Sequence, residues 1–105
     1  MKVQFTPASM RIRVDQAEFG RLRAGTALVL GMPGAWRVEV AIGEPIAMRQ
    51  DGNRLAVALP AAALEELAAR LPSRDGIAAR VEVAGHALDL AFEVDMRDGR
   101  PRRPR

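Results

Sequence analysis

The stretch Ser9-Met10-Arg11-Ile12-Arg13-Val14-Asp15-Gln16-Ala17-Glu18-Phe19 changes its hydrophobic period in the middle. Met10, Ile12 and Val14 alternate with Arg11 and Arg13, the two-residue repeat of a strand with one buried face. At Asp15 the repeat stops. Asp15 and Glu18 have the spacing of a capping box, in which a side chain at the helix entrance accepts from the backbone three residues on and the glutamate reaches back. Val14 and Phe19 flank the box at the positions of a hydrophobic staple. Phe19 and Leu22 share one helical face, and Gly25 is suited to end the helix in the left-handed region. A strand therefore runs directly into a short helix, about Gln16 to Ala24.

The same grammar extends in both directions. Upstream, Val3 and Phe5 alternate with Lys2 and Gln4, a strand that forms a hairpin with Met10–Val14. Downstream, Thr26–Leu30 is a strand and Gly31-Met32-Pro33-Gly34 a turn. Trp36, Val38, Val40 and Ile42 then alternate with Arg37, Glu39 and Ala41, so the row that includes Trp36 is expected in the core or at its rim. After the break at Gly43-Glu44-Pro45, Ile46–Gln50 and Arg54–Leu59 flank Asp51-Gly52-Asn53, a hairpin signal. Pro60 opens a second helix in its first turn. Leu64, Leu67, Ala68 and Leu71 give that helix one apolar face, and Pro72 ends it. Ile77–Val83 and Ala87–Asp95 form a last hairpin around Gly85-His86.

The order is hairpin, helix, hairpin, twice over. A shift of 45 positions lays Met10, Ile12 and Val14 on Leu55, Val57 and Leu59, and Asp15, Phe19 and Leu22 on Pro60, Leu64 and Leu67. Identity between the halves is negligible. Each half, about residues 1–44 and 45–95, has one short helix, too little to cover both of its hairpins, so the halves are expected to share one core. The expected fold is α+β: about eight mostly antiparallel strands, curled, with two short helices on one face. A partly closed barrel is the alternative. Residues 1–95 form the single domain, and residues 96–105 a disordered basic tail rich in Arg and Pro.

With 105 residues, 49% hydrophobic and 28% charged, the chain has the make-up of one soluble globular domain. It has no cysteine, which excludes disulfides, thiolate metal sites, cysteine nucleophiles and iron–sulfur clusters. One histidine and no tyrosine leave few groups for acid–base chemistry. No window approaches the ~18 apolar residues of a membrane span, and Met1-Lys2-Val3-Gln4-Phe5 lacks a signal peptide's apolar run. The expected location is cytoplasmic, away from membranes. The net charge of +3 is unevenly placed. Residues 1–95 hold 11 Lys+Arg and 12 Asp+Glu, net −1, whereas residues 96–105 hold five Arg and one Asp, net +4.

Several segments resemble a small bacterial family of uncharacterised proteins. Met1-Lys2-Val3, Ser9-Met10-Arg11-Ile12-Arg13-Val14 and Gln16-Ala17-Glu18-Phe19 resemble its M-K-I opening, its N-S-I-R-L-R-L-T strand and its Q-S-E-V helix start. Trp36-Arg37-Val38-Glu39-Val40 sits where the family has an L-T-Y-S-L-like strand. Asn53–Pro60 resembles its N-x-I-x-V-x-[IV]-P segment, Leu64-Glu65-Glu66-Leu67-Ala68 its A-E-E-W-A helix, and Asp75-Gly76-Ile77 its D-x-[IV] lead into the last hairpin. The chain departs from the family where Val94-Asp95-Met96-Arg97 replaces a segment that often holds a cysteine. It departs again in its tail, which is Arg-Pro-rich rather than acidic. The resemblance implies a widespread bacterial domain of unknown function, and it transfers no catalytic residue.

Candidate site residues are few. His86, with Asp89 nearby, falls short of the four ligands zinc usually takes and reads as an exposed turn residue. Glu65 and Glu66 are adjacent on a helix, do not face one another, and read as its polar side. Arg11 with Arg13, Arg37 with Glu39, Arg80 with Glu82, and Asp89 with Glu93 and Asp95 read as a solvated charge lattice across strands. The functional alternative makes Arg11, Arg13 and Arg37 an anion or nucleic-acid patch; the neighbouring carboxylates and the lack of interleaved aromatics argue against it. Trp36 has a second reading as a binding anchor, as does Met32-Pro33 at a loop tip. Gly31-Met32-Pro33-Gly34 lacks the Lys and Ser/Thr of a phosphate loop. Arg97, Arg100, Arg102, Arg103 and Arg105 offer non-specific phosphate contacts that salt would remove. The functional expectation is a small non-enzymatic binding or interaction module, without cofactor or metal, for an unknown protein partner. The alternative is weak, non-specific nucleic-acid binding through the tail. An enzyme ranks third, because no two titratable groups are set apart in environment.

Overall fold

The computed structural model describes residues 1–32, 34–72 and 75–96. The tail arginines Arg97, Arg100, Arg102, Arg103 and Arg105 lie outside the described residues, as does Pro33. Four antiparallel hairpins supply the strands: β1 (Lys2–Thr6) with β2 (Ser9–Asp15), β3 (Leu28–Gly31) with β4 (Arg37–Ile42), β5 (Ala47–Asp51) with β6 (Arg54–Leu59), and β7 (Ile77–Val83) with β8 (His86–Asp95). Helix α1 (Gln16–Arg23) follows β2, and α2 (Ala61–Arg70) follows β6. The fold is α+β with mostly antiparallel pairing, as the sequence pattern implies.

Two parallel contacts join the hairpins into two sheets. β2 lies beside β8 and β4 beside β6, giving the orders β1-β2-β8-β7 and β3-β4-β6-β5. Each sheet takes one hairpin from each half of the chain, so neither half owns a sheet. The registers repeat as well. Val3 opposes Ile12 as Met48 opposes Val57, 45 positions on. Leu28 opposes Val40 as Ile77 opposes Phe92, offsets of 49 and 52 positions. A pseudo-twofold thus exchanges the sheets, although the spacing drifts where the links differ in length.

The strand-to-helix junction forms as its sequence dictates. The Asp15 carboxylate accepts from the Glu18 N–H at 2.6 Å, and Glu18 accepts from the Asp15 N–H at 2.9 Å. Gly25 ends the turn at φ +102°, a conformation that costs glycine little. α2 has no side-chain cap at Pro60 and holds its place by burial: Leu64 and Leu67 are both fully covered. The core is the shared interior of the two sheets: Met10, Ile12 and Val14 from β2, Leu90, Phe92 and Val94 from β8, Val38 and Val40 from β4, and Val57 and Leu59 from β6. Phe19 of α1 packs its ring 6.2 Å from that of Phe92. No polar side chain is buried among the described residues. The helices do not share one face of a single curled sheet. α1 touches strands of both sheets as well as α2, whereas α2 packs on β7.

β2, β4, β6 and β8 all start at hairpin turns and run toward the helical end. The four turns therefore gather at the opposite end. Trp36 precedes β4, outside its pairing, and is 51% exposed, so of the two places expected for its row, core or rim, it takes the rim. Ile42, at the other end of that row, is 39% exposed. Alternation marks the direction of a side chain, whereas burial also needs something beyond the strand's end to cover it.

Candidate functional site

An inward-facing row stays dry only where another layer closes it. At the helical end α1 and α2 do so; at the turn end no described element does. Phe5 pairs with Met10, Val38 with Leu55, and Val83 with His86, so these residues lie on or beside the inward rows at their uncovered ends. Phe5, Val38, Leu55, Val83 and His86, together with Trp36 and Ala84, line a groove of about 530 Å³ between the sheets. Phe5 is 56% exposed there. The polar part of the lining comes from Arg37, Arg54, Gln50, Asn53 and His86.

The rim is held by hydrogen bonds between loops. The Met32 N–H donates to the Trp36 carbonyl at 3.0 Å, and the Ala35 N–H to the Met32 carbonyl at 3.0 Å. The Asn53 side-chain amide donates to the Ala35 carbonyl, while the Arg37 N–H donates to the Asn53 carbonyl at 2.9 Å. The β5–β6 turn thus fixes the loop that presents Trp36. On its other side Trp36 lines a second hollow, about 270 Å³, with Val29, Gly31 and Met32.

Charges at the groove are unequally engaged. Arg54 meets Glu39 at 3.0 Å and Asp51 at 3.4 Å. Arg37 makes no ion pair among the described residues. Among the described residues the groove lining contains no carboxylate. Elsewhere the expected charge lattice is present: Arg11 and Arg13 both reach Glu93, at 3.4 and 3.3 Å, and Arg80 reaches Asp89 at 3.1 Å. Arg37 stands in the other sheet from Arg11 and Arg13, so these three do not form one patch. Glu65 and Glu66 likewise go separate ways. Glu65 bonds Arg23 on α1 at 2.7 Å, and Glu66 approaches Arg70 at 4.0 Å. The Arg23 guanidinium hydrogen-bonds the Glu65 carboxylate and holds its pKa below the ordinary range. His86 is exposed, and among the described residues no group of three His, Cys, Asp or Glu is placed to hold a metal.

Sequence reasoning singled out Trp36 and Met32 as candidate anchors and missed Phe5, Leu55 and Val83. Their common signal is position: each is an apolar residue within three positions of a hairpin turn, and the four turns share one end. No described helix is long and apolar enough to cross a membrane. The chain matches no family model, no curated protein and no solved structure.

Proposed function

We propose that the protein is a cytoplasmic, non-enzymatic binding module that takes an apolar segment of a protein partner into the mouth between its two sheets. The observation that carries this reading is the pair of exposed aromatics, Phe5 and Trp36, over a groove of about 530 Å³ with apolar walls. Ligand sites commonly fall in the range of about 300–1,000 Å³ and favour the mouths of barrels. Tryptophan is enriched among residues that dominate binding energy. Arg37, unpaired among the described residues, gives a partner's carboxylate a place beside the apolar residues. The groove offers a single imidazole and no carboxylate, which supports binding over acid–base catalysis.

A second reading, phosphate binding by the tail, is favoured by one observation, the net charge of +4 on residues 96–105 against −1 on residues 1–95. The mouth lies far from the last described residues. β8 runs ten residues from His86 at the mouth to Asp95, about 30 Å at a strand's rise per residue. Partners are recovered from a source-cell lysate with and without nuclease, then titrated with the full chain, with F5A and W36A, and with a chain ending at Asp95. The mouth reading expects F5A and W36A each to weaken a nuclease-resistant complex about tenfold or more, with the shortened chain binding as the full one does. Loss on shortening alone, with a salt slope no steeper than about −4.5 for five phosphate contacts, would transfer the function to the tail.

A further inference from the structure

The two sheets have four edge strands, and three of them are protected. β1 carries Lys2, β5 carries Arg49 and Asp51, and β7 carries Arg80 and Glu82. β5 and β7 also pack against one another, each covering the other. The fourth edge, β3, reads Leu28-Val29-Leu30-Gly31 and carries no charge. By the pseudo-twofold it is the counterpart of β7, yet among the described residues no strand packs along its outer edge as β5 does on β7, and α1, besides β4, touches it. Three of the five large hydrophobic residues exposed among the described residues, Val29, Met32 and Trp36, lie on this strand or in the loop that follows it.

An uncharged edge with free backbone groups is a template for another strand, and charged residues are the usual means of blocking one. We propose that β3 pairs antiparallel with β3 of a second copy of this chain, joining the two β3-β4-β6-β5 sheets into one. Self-pairing is favoured over a foreign strand by the charge pattern: β3 has no charge for a partner's charge to complement. An isologous contact requires a surface that complements itself, and a neutral apolar strand does. The register follows from the faces. Val29 points outward and is 56% exposed, Leu28 points inward and is buried, and Leu30 is partly buried. A twofold axis perpendicular to the sheet keeps outward residues on one side. Centred on Val29, it sets Val29 against its own copy and Leu28 against the copy's Leu30. Centred on Leu30, it would set Val29 against Gly31 and forfeit the cross-strand contact between β-branched side chains.

The test is the oligomeric state of the full chain. Sedimentation equilibrium from about 1 μM to about 1 mM is expected to show the mass doubling and then levelling. V29K and V29E, each placing like charges at the axis, are expected to remain at monomer mass, with unchanged circular dichroism and with the melting temperature that the original chain has at concentrations where it is monomeric. Their equimolar mixture restores the dimer, because opposite charges then face one another. Q4K, on the edge of β1, dimerises as the original chain does. A chain that stays monomeric throughout, a mass that climbs past the dimer, undiminished dimerisation of V29K, or a mixture that stays monomeric would each overturn the proposal. F5A, which alters the mouth and not this edge, keeps the two proposals separable.

Discussion

Gly76 stands immediately before β7, where a Cβ would overlap the carbonyl oxygen of Phe92 on the neighbouring strand. The obstacle is backbone, so a neighbouring side chain has no means of turning aside. Gly76→Ala forces the start of β7 away from β8 at the Ile77–Phe92 pair, and Phe92 is among the largest fully buried side chains. The expected loss in a urea melt is about 3 kcal/mol or more, the range reserved for disrupted cores and strained backbones. Gly25→Ala is the control. Gly25 has φ +102° and no atom within 4 Å of the added carbon, so its cost is conformational, about 1–2 kcal/mol. Equal losses at the two positions would contradict this account of Gly76. The sequence marks both glycines as punctuation and does not separate them. Gly25 answers to its own backbone, whereas Gly76 answers to a residue 16 positions away whose place depends on the register of β8. Trp36 stands at the rim rather than in the core for a related reason. Its alternation with Val38 is real, but β4 begins one residue later, and the rim that exposes the indole is built by loops from other hairpins.

Helices and hairpins were legible where their causes are local. The capping box, the Gly25 stop, the Gly52-Asn53 turn and the Leu64–Leu67 face are all set within a few residues, and each is found where the pattern puts it. The parallel contacts β2·β8 and β4·β6 have no local signature, so neither the division into two sheets nor the gathering of the turns was legible. The contact between α1 and α2 is a similar case. Arg23 and Glu65 form a two-point ion pair, Nε to Oε2 at 3.0 Å and Nη2 to Oε1 at 2.7 Å, and Arg23 also lies 5.6 Å over the Phe19 ring. The hydrogen bond from Arg23 lowers the pKa of Glu65, and the same bond raises that of Arg23. Protonating Glu65 therefore costs more in the folded chain than in the unfolded one. The stabilisation is fully present above the unfolded carboxylate pKa and is lost as pH falls through the lowered folded value. The difference in urea midpoint between the original chain and E65Q should be positive at neutral pH, shrink with added salt, and vanish in acid. Because the pair is exposed the difference is small; one that persisted below the carboxylate range would point to packing rather than charge.

At the scale of the molecule, the two sheets divide the chain differently from its sequence repeat. Each repeat contributes one hairpin to each sheet, so a half alone holds two hairpins that do not pair with each other. The inward rows confirm the dependence: Ile12 needs Phe92, and Val40 needs Val57. Residues 1–44 alone have their own β4 as the nearest substitute for β8. Pairing β2 of one copy with β4 of another sets Val40 where Phe92 belongs, leaving a void on both sides of the axis, and a residual cavity costs stability in proportion to its volume. Residues 45–105 alone err the other way, with Phe92 forced into the place of Val40, and overpacking is also costly. Each fragment, cut in the link between Ile42 and Ala47, should therefore lack a cooperative thermal transition. Mixed at equal concentrations, they should recover the circular dichroism of the intact chain as a one-to-one complex, since every strand contact that crosses the cut is non-covalent. Its melting temperature should rise with concentration, as it does for any assembly of separate chains. A fragment that melts cooperatively on its own, or a mixture that stays unfolded at every concentration, would show that the pseudo-twofold describes the path of the chain without describing what holds it together.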